Sequence, residues 1–575
     1  MKYTGSKILI ESLIENGVDT IFGYPGGAVL SIYDELYKYK DRIRHILVSH
    51  EQHAAHAADG YARSSGRVGV CLATSGPGAT NLVTGIATAF VDSIPIVAIT
   101  GNVGIPLLGK DSFQEVDIAG ITMPIVKHNW IVEDVCELAE IVREAFIVAQ
   151  SGRPGPVLID IPKDIINAVC EMDINTQRTI KNNSNKRAER LLVRTKRDTF
   201  TEEDIKKTVT LINESKRPMI YAGGGVIRSG ANAEVKKLAQ LIGSPVALSL
   251  MGMGAIEYDH RLCTGLIGMH GTIASNKAAA QADLIIALGA RFSDRVINCI
   301  ENDAGRVPVG KASGSACFAK NAKIIHIDID PAEINKNIYT DAFIVGDLKT
   351  ILKKLLEKIP TKKSTGWNDE IAKWKAKLPK EKNGKAALHP RFIIREIAKT
   401  LGENAIVVTD VGQHQIWTAQ FYPFKKPRSF LSSGGMGTMG FGMGAAAGAK
   451  IANPSSQVVL FTGDGCLRMN SAEMATLVKY KLPVLIVVFN NGTLGMLRQW
   501  QNVFYKACYY ETDLERSCPD FIKLAAAYDV PAFRATDEPS FSQALDQSIK
   551  LLNSGKPVLI EAIIDKDTQA NMVKL

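Results

Sequence analysis

The chain has 575 residues, 46% hydrophobic and 22% charged, with a net charge of +9. That length exceeds a single core and predicts roughly three or four domains. Part of the basic excess is one run, Lys181 to Arg197, without interleaved aromatics or a reader motif, so no nucleic-acid partner is expected. The longest compact apolar run, Val484 to Phe489, is far too short to cross a bilayer, so no membrane partner is expected either. The nine cysteines are scattered and show no CxxC spacing. This argues against a disulfide framework or a zinc site and for a reducing compartment. The start, Met-Lys-Tyr-Thr-Gly, lacks the apolar core of a signal peptide, and the expectation is a soluble cytoplasmic protein.

In chain order, Ser6 to Asn16 has apolar positions at helical spacing and is closed by Gly17. Val68–Ala73, Ile96–Thr100 and Val157–Ile161 then read as buried strands, each followed by Gly, Pro or Asp. This is the rhythm of a parallel α/β sheet with helical crossovers. Residues 173–198 are polar and basic and predict a linker. A second α/β unit over 199–360 has strands at Met219–Ala222, Leu284–Leu288 and Ile324–Ile329. A Lys-rich second linker over 361–388, partly helical, has Trp367 and Trp374 as anchors. The third unit, 389–575, has strands at Ala405–Thr409, Val458–Thr462, Val484–Phe489 and Val558–Ile564. The expected fold class is therefore α/β, with three doubly wound parallel-sheet domains over 1–172, 199–360 and 389–575. Ligands of such sheets bind beyond the carboxyl ends of the strands.

One pair of strand ends carries chemistry. The strand ending at Thr462 runs into Gly463-Asp464-Gly465, where glycines permit close approach of backbone to phosphate. The next strand ends in Asn490-Asn491-Gly492, and Asp464 and Asn491 are 27 residues apart, the length of a strand–helix–strand unit. A carboxylate from Asp464, an amide oxygen from Asn491 and a backbone carbonyl, at Thr493, suit a magnesium ion shared with a diphosphate.

Here the sequence resembles thiamine diphosphate enzymes, which combine Gly-Asp-Gly, a crossover helix and Asn-Asn. The resemblance implies a distant glutamate in the N-terminal unit, and Ser49-His50-Glu51-Gln52-His53 supplies one in Glu51. Over nearly the whole chain the resemblance narrows to acetohydroxyacid synthase, also called acetolactate synthase, in its large catalytic subunit. It rests on Thr74-Ser75-Gly76-Pro77-Gly78-Ala79-Thr80-Asn81, Phe113-Gln114-Glu115, Ser151-Gly152-Arg153-Pro154 and Asp160-Ile161-Pro162-Lys163-Asp164. Further on it rests on Asp410-Val411-Gly412-Gln413-His414, Gly437-Thr438-Met439-Gly440 and Gly495-Met496-Leu497-Arg498-Gln499-Trp500.

That resemblance implies a carboligase. Pyruvate is decarboxylated on thiamine diphosphate, and the two-carbon unit joins pyruvate or 2-oxobutyrate as acceptor, the first committed step of branched-chain amino acid synthesis. It assigns Glu51, Gln114 and Lys163 to catalysis, with Glu51 promoting the imino tautomer of the cofactor. It assigns Arg295, Met496, Trp500 and Phe113 to the substrate, Arg295 through its planar fork. Val411, Gly412, Gln413, His414, Gly437, Met439, Gly463, Asp464, Gly465 and Asn491 would hold thiamine diphosphate, Met439 propping it in a bent shape. Asp464, Asn491 and Thr493 would hold Mg2+. The synthase branch also keeps FAD, and Arg153, Gly223, Gly224, Gly225, Met269, His270, Gly289, Arg291, Asp328 and Asp347 match its flavin-containing members. The resemblance further implies a homodimer or homotetramer, with the site formed between subunits, and a small regulatory subunit. A flavin-free catabolic acetolactate synthase, or another thiamine diphosphate enzyme such as pyruvate oxidase, is the alternative. Departures from the family pattern are Ser293 in Arg-Phe-Ser-Asp-Arg, a small-residue insertion over Gly305 to Lys320, the loop Gly101 to Lys110, Cys466-Leu467-Arg468 after Gly-Asp-Gly, and a short tail ending at Leu575.

Overall fold

The continuous apolar runs become strands buried on both faces, as parallel sheets covered by helices require. The computed structural model describes residues 2–171, 199–297, 318–361, 366–376 and 388–572. The basic run at 181–197, the first linker and most of the 305–320 insertion lie outside the described residues.

The first sheet is built from β2 (Thr20–Gly23), β3 (Arg44–Leu47), β4 (Gly69–Ala73), β5 (Ile96–Asn102), β6 (Asn129–Ile131) and β7 (Val157–Pro162). Its order is β3-β2-β4-β5-β7-β6, all parallel. A two-stranded antiparallel ribbon of β1 (Lys2–Thr4) and β8 (Val169–Glu171) joins the two ends of this unit. The second sheet holds β9 (Pro218–Ala222), β10 (Val246–Leu248), β11 (Cys263–Leu266), β12 (Leu284–Leu288), β13 (Lys323–Asp328) and β14 (Ala342–Val345). Its order is β11-β10-β9-β12-β13-β14. The third holds β15 (Ile406–Thr409), β16 (Phe430–Leu431), β17 (Val458–Gly463), β18 (Val484–Asn490), β19 (Ala532–Ala535) and β20 (Val558–Ile563), ordered β16-β15-β17-β18-β20-β19.

Each order reverses inside the sheet, between β2 and β4, β9 and β12, and β15 and β17, and the first and third also end on a swapped edge pair, β7-β6 and β20-β19. Loops at such a reversal splay apart and leave a crevice. The loops concerned begin at Thr74, Gly223 and Gly289, and Asp410 and Gly463.

Two contacts are among those that set the units against one another. Helix Glu51–Ser65 of the first unit packs along helix Gly442–Ala452 of the third, through small residues. A Cβ on Gly60 would collide with the Ala445 carbonyl oxygen, and one on Gly448 with that of Ala57. At the end of this helix pair lies a buried charge cluster. Arg63 pairs with Asp59 and, at 2.9 Å, with Asp92. The Asp92 carboxylate also accepts the N–H groups of Gly434 (3.0 Å) and Gly435 (2.9 Å), while Arg228 of the second unit donates to the Asp92 carbonyl. All three units meet there, and the buried charges are paired as burial demands.

One expectation is overturned. Cys136 and Cys170, 34 residues apart, form a disulfide with Cα atoms 5.5 Å apart. Spacing along the chain did not reveal the pair, because Cys170 lies in β8, beyond the helix Leu138–Gln150 and the strand β7 that follow Cys136. Helix Trp367–Lys375 lies against the second sheet, where the buried Trp367 indole donates to the Pro218 carbonyl at 3.1 Å.

Candidate active site

The residues of the third sheet converge first. Gly463 of β17 pairs with Phe489 of β18, so Asp464 and Asn491 leave adjacent strands at the same edge. They line a pocket with about 480 Å³ of empty space, part of it open to solvent, together with Val411, Gly412, Gln413, His414, Met439, Gly463, Gly465, Thr493 and Met496. The walls are tight where phosphate would lie. A Cβ on Gly463 would stand 3.1 Å from His414 Nδ1, and one on Gly465 2.8 Å from a Leu494 methyl. Gly437 lies on an exposed turn at φ 70°, with open space where a side chain would stand.

Asp464 is buried. Its Oδ1 accepts the Gly465 N–H at 2.7 Å, and Oδ2 has no partner. Burial pushes this carboxyl up to about 6, against the pull of nearby N–H groups of Gly465, Gly492, Asn491 and Thr493. A lone carboxylate oxygen buried beside a glycine cradle fits a divalent cation, which would lower that value again. The Asn491 side-chain oxygen accepts the Thr493 N–H at 3.2 Å. The Thr493 hydroxyl donates to the Thr512 carbonyl at 2.6 Å. His414 is held neutral by burial, its value pushed down to about 3, and its Nε2 has no partner. Gln413 donates to Gln499 Oε1 at 2.8 Å and to the Thr568 carbonyl at 3.1 Å.

A second cluster forms at the β2/β4 crevice. Glu51 opens its helix, nearly buried, and its Oε2 accepts the Asn81 amide at 2.9 Å. A Cβ on Gly78 would reach 3.3 Å from the other carboxylate oxygen. Gln114 sits at φ 60°, a conformation uncommon outside glycine, with its backbone where a Gly76 side chain would be, 2.9 Å away. Its neighbour Phe113 is 89% exposed. Lys163 is exposed at the carboxyl end of β7. None of these four lines the pocket of the third sheet.

Arg295 and Trp500, distant in sequence, meet: the guanidinium lies over the indole ring, 4.9 Å from its centre. Met269 is drawn into this corner by its N–H bond to the Arg295 carbonyl at 2.8 Å. His270 contacts the carbonyl of Asn571 at 3.1 Å.

The remaining second-sheet residues gather at the β9/β12 crevice. Gly223, Gly225 and Gly289 touch backbone to backbone, the Gly223 N–H reaching the Leu288 carbonyl at 2.9 Å and that of Gly225 the Gly289 carbonyl at 3.1 Å. A Cβ on Gly225 would come within 2.7 Å of Gly289 Cα. Gly224 lies between them at the start of a short helix. Asp328 ends β13 on the same edge, buried and pushed up to about 6, and the Nε2 of the buried His326 stands 3.8 Å from Asp328 Oδ2. Arg153 bridges from the first unit to Glu333 (2.9 Å) and Asp330 (3.2 Å), and Arg291 donates to the Val91 carbonyl. Glycines and an acidic residue along this edge suit a dinucleotide. Asp347 instead caps helix Leu348–Lys358 through Thr350.

Three consecutive segments match the thiamine pyrophosphate enzyme N-terminal domain (3–121), central domain (205–355) and C-terminal domain (410–562). Fold and pocket thus define a thiamine diphosphate enzyme of three α/β domains. A probable acetolactate synthase large subunit of Methanococcus aeolicus is 45% identical, covering 99% of this chain and 93% of that protein. The acetolactate synthase large subunits of Corynebacterium glutamicum and Cyanidium caldarium are each 43% identical, over 99% and 98% of this chain and 88% and 93% of theirs. The chain belongs to the acetolactate synthase large-subunit family.

Some residues of the site carried no signal of their own. Asn81, at the end of the Thr74–Asn81 motif, is the direct partner of Glu51. Asp410, fully buried, accepts Thr462 Oγ1 and the Gly442 N–H, both at 2.7 Å, and so ties β15, β17 and the Met439 loop together. The tail also contributes: Ala570 exchanges hydrogen bonds of 2.8 and 3.0 Å with Gln499. Its sequence is polar and unpatterned, and only its position makes it part of the site.

Proposed function

We propose that this chain is the catalytic subunit of an acetolactate synthase, joining a two-carbon unit from pyruvate to a second pyruvate or to 2-oxobutyrate. The observation that carries the reading is the partnerless buried oxygen of Asp464 beside the glycine cradle, in a chain of this family. Asp464, the Asn491 side-chain oxygen and the Thr493 carbonyl would hold magnesium, and Gly463, Gly465, Gln413 and His414 would hold the diphosphate. Thiamine diphosphate supplies the nucleophilic carbon and the electron sink for decarboxylation. Met439 supplies an apolar prop, and Glu51, fixed by Asn81, holds the proton at the aminopyrimidine. Arg295, over the Trp500 ring, offers its fork to the acceptor's carboxylate, with Met496 and Phe113 bounding the substrate. Gln114 and Lys163 serve the reacting carbons from the first unit.

The reading includes FAD at the β9/β12 crevice, with Arg153, Arg291 and Asp328 around it. It includes domains at 1–172, 199–360 and 389–575 joined by linkers at 173–198 and 361–388, a homodimer or homotetramer, and a cytoplasmic setting. Among the described residues no helix is long and apolar enough to cross a membrane. Purified protein with magnesium and thiamine diphosphate is expected to convert pyruvate to 2-acetolactate, and to show flavin absorbance. Acetaldehyde or acetyl phosphate as the main product overturns the synthase reading. A colourless, fully active preparation removes FAD from it.

A further inference from the structure

The entry to the Glu51 helix is gripped from another unit. Glu473 ends a short turn, Ser471–Glu473, that follows the Asp464 helix, and its side chain is buried at 1% exposure. Its Oε1 accepts the Ser49 N–H at 2.7 Å, and its other oxygen accepts the Thr476 hydroxyl at 2.6 Å. The His50 N–H is directed at the same carboxylate. Around it, the Ser49 hydroxyl donates to the Ala472 carbonyl at 2.9 Å, and the Leu47 N–H donates to Tyr480 Oη at 2.8 Å. Residues 472–480 thus grip residues 47–50, immediately before Glu51. His50 is the helix N-cap, its ring accepting the Gln52 N–H at 3.1 Å.

These bonds fall before the first helical turn, so they fix the direction in which the chain enters the helix. The Glu51 carboxylate is carried on that first residue. Among the described residues, one side chain, Asn81, hydrogen-bonds it within its own unit. A small rotation of the entry would swing the carboxylate away from that amide.

We propose that Glu473 is a positioning residue for Glu51: by accepting the Ser49 and His50 N–H groups it sets where the Glu51 carboxylate stands. The inference rests on the role given to Glu51 above.

Three variants separate geometry from charge and from bulk stability. Glu473→Ala removes the acceptor, Glu473→Asp retracts it by one methylene, and Glu473→Gln keeps an acceptor oxygen without charge. Glu473→Ala is expected to lower kcat by about 10- to 100-fold, the scale of a misplacement of about 1 Å. Glu473→Asp loses less, and Glu473→Gln keeps at least roughly half of kcat, since a neutral acceptor still takes the Ser49 N–H. In the cofactor-free protein, amide hydrogen exchange over residues 47–53 accelerates in the Ala and Asp variants and returns to normal in the Gln variant. The decisive measurement is made in a Glu51→Gln background, where Glu473→Ala costs nothing further if it acts through Glu51. An equal loss in both backgrounds overturns the proposal, as does an Asp variant that matches the parent while the Gln variant fails. If the Ala variant does not fold, the Asp and Gln variants give the same comparison in both backgrounds. A fully active Glu51→Gln enzyme refutes the role of Glu51 itself, and that failure is read without any Glu473 variant.

Discussion

At the scale of single residues, the site is made of groups whose ordinary chemistry is displaced by burial. Asp464 lacks a partner for one oxygen, and His414 is kept neutral. Glu473 is the sharpest case for stability, because burial pushes its carboxyl from 4.5 up to about 7. The folded state therefore binds this proton more tightly than the unfolded chain does. Folded-state stability from this group falls as pH rises from about 4.5 through about 7 and is level beyond, a span worth at most on the order of 3 kcal/mol. Glu473→Gln cannot ionise, so the parent should lose thermal midpoint relative to that variant between pH 5 and pH 8. Parallel midpoints across that range would show that Glu473 does not titrate there.

At the scale of elements, what matters is how closely helices and loops approach. The pair Glu51–Ser65 and Gly442–Ala452 meets through glycines whose hydrogens face carbonyl oxygens. Gly448→Ala should cost about 1–3 kcal/mol by overpacking. Gly27→Ala, in open space at an unstrained backbone position, should stay within about 0.5 kcal/mol. Denaturation midpoints of the two variants check this, and equal midpoints would mean that the helices can move apart freely. The strands read from the sequence alone became β4, β5, β7, β9, β12, β13, β15, β17, β18 and β20, to within one or two residues. These lie inside their sheets, where burial on both faces demands a continuous apolar run. Four edge strands escaped: β3 and β19 carry Arg44, His45 and Arg534 among their apolar residues, while β14 and β16 are apolar but only four and two residues long. β2 and β10 are buried, but only four and three residues long.

At the scale of the whole molecule, the candidate groups fall into separate neighbourhoods. Every residue lining the Asp464 pocket comes from 411–497, whereas Glu51 stands with Asn81 at the first sheet. A second copy of the chain that brings its Glu51 to this pocket would complete the site. Glu51→Gln and Asp464→Asn homodimers, each strongly impaired but with measurable residual activity, should therefore regain activity on mixing with subunit exchange. Statistical pairing predicts about a quarter of the parent level, because half of the dimers then carry one intact site of two. No recovery under proven exchange would place both residues in a site within one chain.

Glu51 was pointed to by the family resemblance, whereas the sequence by itself determined the three parallel sheets and the Gly463-Asp464-Gly465 and Asn490-Asn491 pairing. Each of these is a local pattern, in which burial, turn geometry or ligand type restricts a few neighbouring residues. Only the tertiary structure decided which distant residues touch. It joined Arg295 to Trp500, Cys136 to Cys170, Asp92 to Gly434 and Gly435, and Glu473 to Ser49. Such contacts leave no periodic trace, because each is created by the packing of one unit or strand against another, and no spacing along the chain encodes it. The Asp464 motif was legible from its residues, whereas the bonds of Asn81 to Glu51 and of Glu473 to Ser49 exist only in the folded chain.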